Sequence, residues 1–179
     1  MSDLQKISKN LAAAQTAYLA TADAFEAASW QQRPDPHRWS AAEVTGHLIK
    51  VERGVVRKSD QLMHEPPRPR PLLKRLHFPL FFVEARLVRR KAPSIVLPET
   101  VGDKEEMLAD LRDTRERTLA FMQRTADKDL ALYFFPHPFL GTLDVYEWLQ
   151  LIASHQLRHV KQLREIANFL LKDVANSHK

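Results

Sequence analysis

The sequence predicts an all-α protein, a four-helix bundle with a long proline-rich crossover between its second and third helices. Apolar residues recur at alternating steps of three and four along four long segments, the period of helices that turn one face to a core. Only four glycines occur in 179 residues, and 44% of the chain is hydrophobic, which suits a helical globule. Seven of the eleven prolines fall in the roughly forty residues between the second and third segments.

The first predicted helix runs from about Leu4 to Ser29, on the stripe Leu4, Ile7, Leu11, Ala14, Tyr18 and Phe25. A short loop, Gln31 to Arg38, suits an antiparallel neighbour. The second helix begins at Ser40, where Ser40 and Glu43 have capping-box spacing, and carries Val44, Leu48, Val51, Val55 and Leu62. The crossover, about 61–102, is long enough to span a bundle, so the second and third helices can run parallel. Within it, Leu72 to Lys91 is expected to form one or two shorter helices, interrupted near Pro79. The third helix follows Gly102, with Asp103 and Glu106 at capping-box spacing and Leu108, Leu111, Leu119 and Met122 inward. The joint Phe134 to Gly141 is apolar for a loop and is expected to cover one bundle end. The fourth helix runs from about Asp144 to Asp173. With no internal repeat or low-complexity tract, residues 1–179 read as one domain.

No run of about 18 uncharged apolar residues exists, so no membrane span is expected. The N-terminus lacks the apolar core of a signal segment. Zero cysteines exclude disulfides and thiolate metal ligands, and a cytoplasmic protein is the default expectation. The net charge of +5 is concentrated: residues 61–102 hold eight Lys or Arg against three Glu. A nucleic-acid binder more often spreads its basic residues along a face with aromatic stacking partners, so nucleic acid is an unlikely partner.

The chemistry lies in histidines. His155 and His159 sit four apart on the inward stripe that includes Trp148, Ile152, Ile166 and Leu170. Imidazoles at that spacing lie side by side, roughly 6 Å apart at the backbone. His47 lies three residues after Val44 and four before Val51, so it too faces inward. A third imidazole from a facing helix makes a tripod able to hold a metal ion with open positions.

The run Arg38 to Leu48, containing Trp39-Ser40 and His47-Leu48, resembles the tryptophan-serine and histidine-leucine signature of DinB-like proteins. Gly141-Thr142-Leu143, Glu147-Trp148 and His155-Gln156-Leu157-Arg158-His159 resemble that family's last helix. The order, the spacing and the crossover match over nearly the whole chain. The resemblance implies an up-down-down-up bundle, a divalent metal held by His47, His155 and His159, and a homodimer. It also implies kinship with metal-dependent transferases and isomerases that use low-molecular-weight thiols, beside many relatives with no established reaction.

Other candidates have plainer readings. Glu43, one turn before His47, is better explained as the third residue of the capping box than as a group that orients a ligand. Arg158 points away from its flanking histidines, to solvent or to a dimer partner. Trp39 is expected under the start of the second helix and Trp148 in the core. His37, His64, His77 and His137 lie in or near loops and are not expected to be ligands. Arg86, Arg89, Arg90 and Lys91 read as a solvated face before they read as an anion-steering rim.

Three neutral imidazoles suit Zn(II) or Ni(II) first, with Fe(II) and Co(II) behind. Without a ligating carboxylate the ion keeps its full charge and favours an anionic fourth ligand, water- or thiol-derived. The sequence therefore points to a metal-dependent thiol transferase or hydrolase acting on a small molecule. The competing reading is a non-catalytic, stress-related binding protein with a structural metal.

Overall fold

The computed structural model describes residues 3–69 and 101–177. Its elements are α1 (Asp3–Ala22), α2 (Ala27–Trp30), α3 (Ala41–Leu62), α4 (Lys104–Arg124), a 3-10 turn (Leu130–Leu132), β1 (Phe134–His137), β2 (Gly141–Asp144) and α5 (Val145–Ser177). The four long helices are those the apolar spacing predicts. The expected Leu72–Lys91 helices, His77 and the cluster Arg86, Arg89, Arg90 and Lys91 lie outside the described residues.

Cross-helix pairs fix the directions. Tyr18 on α1 donates its hydroxyl to Thr45 Oγ1 of α3 at 2.8 Å, and Thr45 passes its own proton to Ala41 O at 2.9 Å. Farther back on α1, the Leu11 carbonyl faces the level of Glu52 through Arg115, so α1 and α3 are antiparallel. Arg53 pairs with Asp110, and Asp60 with Arg124, so α3 and α4 run parallel, as a long crossover permits. Asn10 donates to Gln150 at 2.9 Å, and Tyr18 shares a core cluster with Val160 and Leu163, so α1 and α5 are also parallel. The result is up-down-down-up.

The first helix is shorter than its stripe predicts. It ends at Ala22, where Ala24 N and Phe25 N bond to Thr21 O and Ala22 O, a tightened last turn. The break turns Phe25 inward onto Trp30 of α2, edge to face at 6.2 Å, and both rings are buried. Phe25 is thus in the core but off the helix.

Helix α3 starts where its capping box predicts. Ser40 Oγ accepts from Glu43 N at 3.2 Å, and Glu43 Oε2 accepts from Ser40 N at 2.9 Å. At α4 the second expected box is absent: Asp103 is the N-cap residue, but its side chain makes no capping bond. A box that the sequence reading missed stands at α5, where Asp144 Oδ1 accepts from Glu147 N at 3.0 Å and Glu147 Oε2 accepts from Asp144 N at 2.8 Å.

The joint before α5 is a β-hairpin, with Phe135 opposite Leu143 and His137 opposite Gly141. Gly141 has φ +76°, a conformation costing a side-chain-bearing residue roughly 1–2 kcal/mol. Trp148 stacks on Phe135 at 4.5 Å and donates its indole N–H to Phe135 O at 3.3 Å, which ties the hairpin to α5.

The core is two apolar clusters with a polar belt between them. One cluster gathers Tyr18, Trp30, Val44, Leu111, Leu163 and Ile166; the other gathers Leu11, Val55, Phe121, Leu149 and Ile152. Between them in sequence on α3, α4 and α5 come Glu52, then Arg115 and Thr118, then His155, Gln156 and His159. Arg115 donates to Glu52 at 2.8 and 3.0 Å, to Gln156 Oε1 at 2.8 Å and to Leu11 O. Two inward assignments change as a result. Glu52 is buried where Val51 was expected, and Leu119 is exposed because Arg115 and Thr118 take the inward positions.

Candidate metal centre

The belt's histidine corner joins α3 to α5. A helix carries residues four apart on one face, so His155 and His159 stand one turn apart, and antiparallel α3 brings His47 opposite. His155 Nε2 lies 3.3 Å from His47 Nε2 and 3.1 Å from His159 Nε2. All three ligand atoms lie within 4.8 Å of one another, and the group has no carboxylate member among the described residues. Nitrogens about 2.0–2.1 Å from one shared ion would be roughly 2.9–3.4 Å apart in octahedral or tetrahedral geometry, so the observed spacings fit.

Each ring is supported. Gln162 Oε1 accepts from His159 Nδ1–H at 2.9 Å, which leaves the His159 Nε2 lone pair facing the group. The Trp39 ring lies 5.0 Å from that of His47. His47 and His159 are buried, and His155 is half-buried. Burial, then positive charge on His47, Arg158 and His137, pushes the His155 pKa down to about 3. Burial and its two histidine neighbours push His159 well below its ordinary value, against the opposing bond to Gln162. The fold therefore favours neutral His155 and His159 rings, the state a metal requires of its ligands.

A stability consequence follows for the metal-free protein. His155 titrates at about 6.5 when unfolded and about 3 when folded, so the unfolded chain holds more protons between those values. Stability is full above the unfolded value and falls as pH drops through this window. Denaturant melts should show a greater loss from neutral pH to mild acid in wild type than in His155→Leu; equal losses would refute the assignment.

The structure separates the other candidates. Glu43 is occupied by its capping box and by Arg33, whose Nε donates to Oε2 at 2.8 Å. Burial opposes its charge, but the bonds from Arg33 and Ser40 hold its carboxyl below the ordinary value. His37 and His64 are exposed and outside the group. Arg158 is half-buried, and its charge is felt at both neighbouring histidines. Trp148 is buried in the second apolar cluster. Gln162 was missed, although its place three residues after His159 signals a partner on the same face.

The model of the DinB superfamily matches residues 10–163. The chain belongs to the DinB superfamily. An uncharacterised protein of Bacillus subtilis strain 168, YuaE, is 29% identical over 136 residues, spanning 75% of this chain and 81% of that protein. The crystal structure of TT2238, described as a four-helix bundle protein, superposes with a TM-score of 0.57 at 23% identity, covering 90% of this chain and 98% of that one. That likeness supports the four-helix bundle fold. No helix among the described residues is long and apolar enough to cross a membrane.

Proposed function

We propose that His47, His155 and His159 hold one divalent ion, Zn(II) or Ni(II) before Fe(II) or Co(II), and that the site serves a metal-dependent thiol transferase or hydrolase. The observation that carries this reading is the convergence of three Nε2 atoms, 3.1 and 3.3 Å along the two edges through His155, in a group without a carboxylate. When bound, the ion supplies a Lewis-acidic position charged enough to make a nucleophile of water or a thiol near neutral pH. The chain's own residues do the rest. Burial keeps the His155 and His159 imidazoles neutral, Gln162 fixes the His159 tautomer, and the Trp39 ring packs beside that of His47. His155, the least buried of the three, marks the side from which a small molecule would approach. Between the two reactions, family kinship favours transfer of a low-molecular-weight thiol to an electrophile.

Cobalt-loaded protein tests this, because its visible spectrum reports on coordination. A panel of small thiols should perturb the spectrum in wild type and not in His47→Ala. Transfer to a model electrophile should then require the metal. Thiols that never alter the spectrum, or transfer that proceeds equally without metal, would sink the transferase. A spectrum indifferent to every added ligand would instead favour a closed, structural ion.

A further inference from the structure

We infer that Gln162 is a specificity-determining residue of the histidine cluster: it supports His159 with a neutral amide where a carboxylate would give the same geometry, and so selects an anionic over a neutral outside ligand. The inference rests on the metal reading above and concerns a residue outside the ligand set.

The contact is direct. Gln162 Oε1 lies 2.9 Å from His159 Nδ1, and an amide oxygen only accepts, so the imidazole N–H is the donor. Gln162 follows His159 by three residues on α5, which puts the two side chains on one helix face. A glutamate there would have the same length and could offer an oxygen at the same position. It would fix the same tautomer and leave the same Nε2 lone pair facing the group. Geometry therefore does not distinguish the two side chains. Charge does: a carboxylate makes the imidazole a stronger donor to its ion and stands behind it as a fixed negative charge.

The acidic residues that flank His47 on α3 are also neutralised. Glu43 accepts from Arg33 Nε at 2.8 Å and from Ser40 N at 2.9 Å. Glu52 accepts from Arg115 at 2.8 and 3.0 Å. Each carboxylate is matched by an arginine, and neither belongs to the three-histidine group. Gln162 extends this neutrality to a side chain in direct contact with a ligand ring. A site built this way leaves the charge of a divalent ion undiminished. A monoanion gains from that charge an attraction that a neutral donor does not.

The plainer role of Gln162 is to hold the ring, and Gln162→Glu separates the roles because it keeps the hold and adds the charge. Cobalt-loaded full-length protein is titrated with azide, a monoanion, and separately with N-methylimidazole, a neutral donor. Both titrations are followed by visible absorption. Gln162→Glu should load cobalt at least as fully as wild type. It should bind azide more weakly by on the order of tenfold, from the repulsion between two like unit charges across a partly buried site. N-methylimidazole carries no charge and should stay within about threefold of its wild-type affinity. Unchanged azide affinity, equal weakening of both ligands, or loss of cobalt in Gln162→Glu overturns the inference while leaving the metal reading standing. If wild type takes up no cobalt, the metal reading fails and this inference with it.

Discussion

His47→Ala, His155→Ala and His159→Ala are each expected to strip the purified protein of most of its divalent ion. Wild type should carry about one ion per chain by elemental analysis, as expected for one three-histidine site. The effect is large because each variant leaves only two imidazoles, either the α5 pair His155 and His159 or His47 of α3 with one histidine of α5. Gln162→Leu sets the scale: loss of an outer partner of a metal-bound histidine typically costs about 10–100-fold in affinity, and loss of a ligand should cost more. His137→Ala should retain the ion, since that ring is committed to the hairpin turn. Full occupancy in all three ligand variants would refute the tripod.

The second large effect belongs to the polar belt. Arg115→Ala should destabilise the fold by about 3–5 kcal/mol, because it leaves the buried Glu52 carboxylate without its cation. It also takes a donor from Gln156 Oε1 and from Leu11 O. Replacing both charges, as in Arg115→Met with Glu52→Leu, should cost far less, because a buried ion pair and a well-packed apolar pair are often nearly equal in free energy. Urea melts of the two singles and the double would show the non-additivity. A single substitution that cost under about 1 kcal/mol would mean that water reaches the pair.

The belt also shows where sequence reasoning reached and where it stopped. Helical period and the Ser40 box located α3, and the inward phase of His47, His155 and His159 identified the cluster. Those signals are local. The period rule treats inward positions as apolar, so it preferred Val51 to Glu52 and Leu119 to Thr118. Arg115 pairs with Glu52 and with the Gln156 side-chain carbonyl across three helices, and pairing over such distances leaves no mark in a local window. The hairpin escaped for a related reason: Phe134 to His137 has a strand partner only because Gly141 takes a left-handed turn. The break after Ala22 depends on Phe25 meeting Trp30, again a tertiary contact overriding a continuous stripe.

The parallel pairing of α1 with α5 has a consequence for how the chain is made. The face of α1 that carries Ile7, Leu11, Ala14 and Tyr18 packs chiefly on α5, near the other end of the described chain. On a ribosome, at about 5–20 residues per second, α1 emerges on the order of 10 s before that partner. During this interval α3 and α4 can dock through Arg53–Asp110 and Asp60–Arg124, while the oily face of α1 waits uncovered. Nascent chains stalled before α5 should therefore be the species that holdase chaperones capture, and release of the last helix should end the capture.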